Sequence, residues 1–259
     1  MSLSLNYAYR VLATGFCFSV FGIGGLVLSL FILPLQRIWL RDAQKSKIAA
    51  RYTVHLSFKF FIRLMRGTGV VDFAFPTDGE LAQASGKILI ANHPSLIDVV
   101  ALISLLPDAD CVVKARLLRN PFMRGVIRST GYLSNADPEG LLADCKLSLQ
   151  QGNTLIIFPE GTRTSPGKPL TFQRGAANIA LRSGCNLLAC VIDCQPSTLT
   201  KHEAWYQVPS TRPMLTIAVL QEFDVQTYTQ HDSCSIAARQ LTRDLELFYF
   251  QALNNHGTT

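Results

Sequence analysis

A long uncharged segment near the start of the chain is the feature that most restricts how this polypeptide can fold. Residues 11–35 contain no Asp, Glu, Lys or Arg. As a helix rising about 1.5 Å per residue, this segment extends roughly 37 Å, and the hydrocarbon core of a bilayer is about 30 Å thick. We therefore predict an uncleaved membrane anchor over residues 1–36. The alternative, a cleaved signal peptide, has an apolar region of only about 7–15 residues.

The basic residues around this segment are distributed unevenly. Arg10 precedes it, and five basic residues follow it: Arg37, Arg41, Lys45, Lys47 and Arg51. The cytoplasmic flanks of membrane helices carry the excess of Lys and Arg. We therefore predict a single pass through an inner, cytoplasmic-type membrane, with the rest of the chain facing the cytoplasm. The seven cysteines, an odd number without the spacing of a disulfide framework, agree with a reducing compartment.

The segment after the anchor, residues 37–69, is predicted to be a basic amphipathic helix. Over residues 51–67 the basic side chains recur every three or four positions, at Arg51, His55, Lys59, Arg63 and Arg66. Such a stripe lies along one face of a helix. Two interpretations stay open: an interfacial helix whose stripe contacts anionic lipid, or an ordinary surface helix packed on the following domain.

The overall composition favours a large core and an anionic partner. Hydrophobic residues make up 48% of the 259 residues, charged residues make up 16%, and the net charge is +6. A positive balance suits membrane lipids or a phosphate-bearing substrate. Nucleic acid is not predicted as a partner, because the sequence has neither zinc-finger spacing nor an aromatic RNA-binding signature. The sequence makes no prediction of oligomeric state.

Residues 70–259 are predicted to form one cytoplasmic domain of the α/β class. Five short apolar runs are typical of buried strands: 87–91, 111–115, 154–158, 187–192 and 215–220. Helix-like segments alternate with them: 98–106, 140–152, 175–184 and 233–253. This alternation predicts a mostly parallel sheet flanked by helices. Cys185, Cys190 and Cys194 fall in or beside one strand, and we interpret them as small core residues rather than metal ligands.

Polar residues follow two of the predicted strands, where ligand sites of open α/β sheets collect. The first motif is NHPSLID, residues 92–98. Pro94 disfavours helical dihedrals at His93, so a bend there could bring Asp98, inside the next helix, onto one imidazole nitrogen and leave the other free as a base. Alternatively, Ser95 and Asp98 form a helix capping box, and His93 is only a polar residue in a turn.

The second motif is FPEGTRT, residues 158–164, directly after another strand. Pro159 ends the strand and Gly161 allows a close approach of the backbone. Arg163 has the planar fork that suits a phosphate, although surface salt bridges use the same residue types.

Together the two motifs resemble the glycerolipid acyltransferase family, whose signature is a His, four residues and an Asp, followed by Phe-Pro-Glu-Gly-Thr-Arg. The resemblance extends over about residues 85–195, including segments 114–133 and 172–180. Two features depart from the family pattern. After Gly131 the family usually has an apolar run ending in Arg, where this chain reads GYLSNAD, and the strand at 185–192 lacks the usual prolines.

The resemblance implies transfer of an acyl group from acyl-CoA or acyl carrier protein to the hydroxyl of a lysophospholipid-like acceptor. It implies His93 as the general base, Asp98 as its orienting acid, and five substrate-binding residues: Lys114, Glu160, Gly161, Thr162 and Arg163. Backbone donors, with Gly161 as a candidate, would hold the oxyanion. A thioester needs no protein nucleophile, and neither a metal nor a cofactor is implied.

Three other interpretations remain. The acceptor could be a lipid without a glycerophosphate group. The chain could be a non-catalytic lipid-binding or scaffold protein of the membrane. It could also be a lipid hydrolase, although the sequence has no Gly-x-Ser-x-Gly elbow.

Overall fold

The computed structural model describes residues 5–135, 137–165, 167–230 and 233–256. Within them, seven strands form one sheet. The strands are β1 Asp72–Ala74, β2 Ile88–Ala91, β3 Asp110–Val113, β4 Leu133–Ser134, β5 Leu155–Ile157, β6 Leu187–Gln195 and β7 Met214–Phe223. All five predicted strands are present. Two short strands were not predicted: β1, with three residues, and β4, with two.

The sheet is mostly parallel, as the sequence predicted. Its order is β1-β7-β6-β2-β5-β3-β4. All neighbouring pairs run parallel except β6 and β7, which are antiparallel. Because β2, β3, β5 and β6 all point the same way, their carboxyl ends and the loops that follow them meet at one edge of the sheet.

Helices cover both faces of the sheet and extend beyond it at the amino terminus. They are α1 Leu5–Val27, α2 Leu33–Leu40, α3 Ala43–Gly67, α4 Asp78–Ala82, α5 Asp98–Leu105, α6 Arg124–Thr130, α7 Pro138–Gln150, α8 Gly175–Ser183 and α9 Cys234–His256. A π-helical segment, Leu28–Ile32, joins α1 to α2 without a break. Short 3₁₀ helices span Ala115–Arg119 and Val225–Tyr228.

The central strands are buried on both faces, which explains why they read as continuous apolar runs. All four residues of β2 are inaccessible to solvent. Successive side chains of a strand point to opposite faces. Leu89 and Ala91 lie in a cluster with residues of α3 and α5, whereas Ile88 and Ile90 lie in a second cluster with residues of α8 and α9. The domain therefore has three layers, with the sheet in the middle.

The apolar segment predicted as an anchor is part of a continuous helix, Leu5–Leu40, that is long and apolar enough to cross a membrane. Most of it is not buried by the rest of the described chain. One side nevertheless packs along α3: the ring of Phe21 lies 5.8 Å from that of Phe58 and 4.9 Å from that of Phe61. The helix therefore presents one face to the domain and leaves the opposite apolar face uncovered.

The basic stripe predicted on the next helix is only partly correct. Lys59, Arg63 and Arg66 are exposed, but Arg51 and His55 are buried. His55 bonds through Nδ1 to the carbonyl of Ile103 at 2.9 Å. Helical spacing cannot distinguish a solvated cation from one that pairs with a group far away in sequence. The predicted stripe therefore includes two residues that the fold buries.

Arg51 forms a buried ion pair with Asp110, whose carboxylate has no solvent exposure. Arg51 also donates to the Thr130 carbonyl at 3.0 Å, and the Ser148 hydroxyl donates to Asp110 at 2.7 Å. These bonds connect α3, β3, α6 and α7. Because both charges are buried, removing either partner would leave the other charge desolvated and unpaired.

Asp110→Ala should therefore lower the free energy of unfolding by about 3–5 kcal/mol, since it leaves the Arg51 charge buried and unpaired. The measurement is guanidinium denaturation in detergent. The exposed neighbour Asp108 supplies the control, and Asp108→Ala should change the same quantity by less than about 0.5 kcal/mol. Equal effects of the two substitutions would show that the pair does not stabilise the fold.

Candidate active site

The two sequence motifs lie side by side because the strands that precede them are neighbours. Strands β2 and β5 are parallel, with Ile90 opposite Ile157. His93 follows the end of β2 by two residues, and Phe158 follows the end of β5 directly. The imidazole of His93 stacks on the Phe158 ring, with centroids 4.3 Å apart and planes inclined by 30°. Sheet topology thus builds one site from segments about 60 residues apart.

His93 and Asp98 are in direct contact. Nδ1 of His93 lies 2.8 Å from Oδ2 of Asp98. Helix α5 begins at Asp98 itself rather than upstream of it, so residues 93–97 are non-helical and the five-residue spacing can close. A carboxylate can only accept a hydrogen bond, so Nδ1 carries the hydrogen and Nε2 is the nitrogen left as a base.

Asp98 also holds the start of its own helix. Its Oδ2 accepts from the Ser95 amide at 2.7 Å, and its Oδ1 accepts from the Ser95 hydroxyl. This carboxylate thus closes the turn before α5 and orients the imidazole. The capping box predicted at Ser95 is not formed, because the N-cap residue of α5 is Ile97, which makes no side-chain cap bond. The Asp98 side chain is fully buried, whereas that of His93 is 16% exposed, so the pair opens to the surface only through the ring.

Glu160 fixes the backbone of His93. Its Oε1 accepts from the His93 amide at 2.9 Å and from the Thr164 hydroxyl at 2.7 Å. The Thr164 amide in turn donates to the His93 carbonyl at 2.7 Å. Burial raises the pKa of Glu160, while these hydrogen bonds oppose that rise. Glu160, predicted to contact substrate, is bonded in this structure to the backbone of the proposed base.

Gly161 shapes the turn of the second motif. Its φ of +64° is a conformation that a side chain would strain. Its amide donates to the Phe158 carbonyl at 3.0 Å and closes the turn. That amide was the candidate oxyanion donor, and it is engaged within the protein. Thr162, next in this loop, is partly buried.

Arg163 binds the protein backbone rather than facing an open cleft. Its Nη1 donates to the carbonyls of Leu199 at 2.9 Å and Thr200 at 2.8 Å. Its Nη2 lies 3.5 Å from the carbonyl of Lys201. The fork expected to hold a phosphate thus holds the loop after β6, a segment for which the sequence suggested no function.

Lys114 lies immediately after β3, at the same edge of the sheet, and is partly buried. Burial lowers its pKa, and the charges of Arg116 and Lys201 lower it further. The charges of two further cations, Arg116 and Lys201, thus act on Lys114. Sequence analysis identified only Lys114, because no motif marks the other two.

Asn92 is a buried residue of the site whose role sequence analysis left unassigned. Its Nδ2 donates to the Ile192 carbonyl at 2.7 Å, and its Oδ1 accepts from the Ile192 amide at 2.8 Å. The side chain thus joins the end of β2 to β6 as a further strand residue would. An Asn directly after an apolar strand was the available signal.

Comparisons with known proteins find similarity to acyltransferases. A protein-family model described as Acyltransferase matches residues 75–193. A 1-acyl-sn-glycerol-3-phosphate acyltransferase from Helicobacter pylori is 39% identical over 101 residues, which are 36% of this chain and 43% of that protein. The human alpha form is 24% identical over 246 residues, covering 90% of this chain and 79% of the relative. The chain spans less than half the length of three of the curated relatives that it matches.

The fold is also shared with a solved structure. The crystal structure of the 1-acyl-sn-glycerophosphate acyltransferase PlsC from Thermotoga maritima superposes with a TM-score of 0.65 at 19% identity, covering 93% of this chain and 95% of that one. The region matched by the family model contains the His93–Asp98 pair and the loop that packs against it. On this evidence, residues 75–193 are similar to the Acyltransferase family, and the chain shares its fold with a solved acyltransferase.

Proposed function

We propose that this protein is a membrane-associated acyltransferase that moves a fatty acyl group from an acyl thioester to the hydroxyl of a lysophospholipid-like acceptor. The observation that carries the proposal is the bond between His93 Nδ1 and the buried Asp98 carboxylate. It fixes the tautomer and leaves Nε2 as a base at the strand ends. The relatives named as 1-acyl-sn-glycerol-3-phosphate acyltransferases support this reaction class.

The proposed mechanism needs no covalent intermediate with the protein. Nε2 of His93 accepts the proton of the acceptor hydroxyl as its oxygen attacks the thioester carbonyl. Asp98 stabilises the imidazolium that forms. When the tetrahedral intermediate collapses, the carbon–sulfur bond breaks and the thiolate takes the proton back from His93. The products are an ester and a free thiol, and the histidine is regenerated.

Acyl-CoA and acyl carrier protein are the two proposed donors. Both are anionic, and the chain has a net charge of +6. Lys114 supplies one cation at the same edge of the sheet as His93. Glu160, Gly161, Thr162 and Arg163 belong to the loop that bonds to the backbone of His93. Because the segment after Gly131 departs from the family pattern, we specify the acceptor only as a lysophospholipid-like molecule.

An apolar groove provides a place for a fatty acyl chain. It has a volume of about 430 Å³ and lies between α1, the π-helical segment, α3 and residues 122–126. Phe21, Phe58, Phe61, Phe122 and Val126 are among its lining residues. Walls of this kind suit a hydrocarbon chain better than a polar ligand.

We propose that the uncovered apolar faces of α1 and α2 contact lipid. Exposed side chains on these helices include Leu12, Phe16, Ile23, Leu35, Ile38 and Trp39. An apolar surface of this extent on a polypeptide in water would favour aggregation. The proposed arrangement is a single pass through an inner membrane, with the catalytic domain facing the cytoplasm.

His93→Ala should lower kcat by about 10²–10⁴-fold, because it removes the proposed base. Transfer of a radiolabelled acyl group from acyl-CoA to a panel of lysolipids measures this. His202→Ala is the matched control, since that histidine is exposed and should be dispensable. Full activity of His93→Ala would refute the base. Label appearing as free fatty acid would indicate a hydrolase, and no turnover by the unaltered protein would indicate a scaffold.

An epitope placed before Met1 should be digested by protease added outside spheroplasts, while the domain after residue 70 stays protected, because the proposed helix crosses the membrane once. Immunoblotting of intact and lysed spheroplasts measures the two regions separately. Protection of both regions in intact spheroplasts would mean that the helix lies on one membrane surface and does not cross.

A further inference from the structure

The carboxyl end of β2, the strand that leads into His93, is bonded to the strands on both sides. The sheet order places β2 between β6 and β5. On the β5 side, Glu160 accepts from the His93 amide, and the Thr164 amide donates to the His93 carbonyl. On the β6 side, the bonds come from two side chains to which the sequence assigned no role.

Asn92 takes the place of a strand residue at the point where β2 leaves the sheet. Strand β2 ends at Ala91, whereas β6 continues to Gln195. Without the Asn92 side chain, the amide and carbonyl of Ile192, a buried residue, would lose the partners that they have at 2.8 Å and 2.7 Å. The backbone of His93 is not paired with β6 and bonds to the second motif instead. Asn92 therefore fixes the point from which the His93 backbone turns away.

Tyr249, on α9, joins the same two strands just before they separate. Its side chain is fully buried. The hydroxyl oxygen lies 2.6 Å from the Ile90 carbonyl in β2 and 2.9 Å from the Cys190 carbonyl in β6. The pairing of β6 with β7 shifts register between Ala189 and Cys190, an irregularity that is common next to active sites. The hydroxyl can share its one hydrogen between the two carbonyls and so hold the strand ends together.

The same turn of α9 also holds the segment that follows the second motif. Glu246, three residues before Tyr249, accepts from the Phe172 amide at 2.7 Å. The Phe172 ring packs edge-on against the Tyr249 ring, with centroids 5.2 Å apart. The next amide, that of Gln173, donates to the Pro159 carbonyl at 2.7 Å. A helix outside the region that the family model matches is thus bonded to the supports of both motifs.

We propose that Asn92 and Tyr249 are positioning residues, which fix the end of β2 to β6 and thereby hold the imidazole of His93 where Nε2 meets the acceptor hydroxyl. The inference rests on the proposed acyltransferase function and adds two residues that serve its base. Asn92 is 2% exposed and Tyr249 is not exposed, so neither contacts the substrate. A misplacement of about 1 Å at a reacting group can lower a rate by about 10²-fold, so the strand end needs this support.

The first test is Tyr249→Phe, which removes one hydroxyl and keeps the ring. It should lower kcat by about 10-fold or more and leave both KM values within about twofold, because the base is displaced while substrate contacts remain. Transfer of a radiolabelled acyl group from acyl-CoA to the lysolipid that the unaltered protein accepts measures both constants. Tyr228→Phe is the matched control, since it removes a hydroxyl that bonds at 2.9 Å to Asp244, on the same helix, and should leave kcat unchanged.

The second variant, Asn92→Asp, tests the other connection between the strands. Asp keeps the size of the side chain and the oxygen that accepts from the Ile192 amide, but it replaces the donor to the Ile192 carbonyl with an oxygen that repels it. It should also lower kcat at unchanged KM. When it is combined with Tyr249→Phe, the loss should be smaller than the product of the two single losses, because both side chains act through one strand end.

The NMR signal of the hydrogen between Nδ1 of His93 and Asp98, recorded with isotope-labelled histidine, is a readout independent of turnover. It should shift in Tyr249→Phe and stay unchanged in Tyr228→Phe. An unchanged kcat in Tyr249→Phe, an equal fall in Tyr228→Phe, or an effect on KM alone would each overturn the proposal. If the unaltered protein transfers no acyl group, the proposed function fails, while the NMR signal still shows whether Tyr249 positions His93.

Discussion

The structure of the site depends on one buried carboxylate. Asp98 has no solvent exposure, so its charge is tolerable only if its oxygens are hydrogen-bonded. They accept from the Ser95 amide and hydroxyl and from the ring of His93. Two of these bonds form the turn that precedes α5, and the third holds the imidazole. The same desolvated group therefore closes the turn before α5 and sets which nitrogen of His93 remains available.

The second motif acts mainly by holding other parts of the site. Glu160 and Thr164 bond the backbone of His93, and Arg163 bonds the loop after β6. Four parallel strands that end at one edge make this possible, because their loops are neighbours in space. The site is thus a set of loops bonded to one another at the end of a rigid sheet, and the ring of His93 is partly exposed there.

Much of the fold followed from local pattern, and the exceptions have identifiable causes. The five longer strands have continuous apolar runs because both faces of the sheet are covered. Strands β1 and β4 have three and two residues, too few for any periodicity to show. Arg51 was assigned to an exposed stripe because its partner, Asp110, is 59 positions away and only the folded chain brings them together.

The sequence alone determined that an apolar helix precedes an α/β domain, and that His93, Asp98 and residues 158–164 occupy strand ends, because these features depend on neighbours along the chain. Only the tertiary structure decided that Arg163 binds the backbone at Leu199 and Thr200, and that Lys201 lies beside Ser165. Such contacts join residues about 36 positions apart. Sheet order sets them, and hydrophobic spacing contains no information about which distant loops will meet.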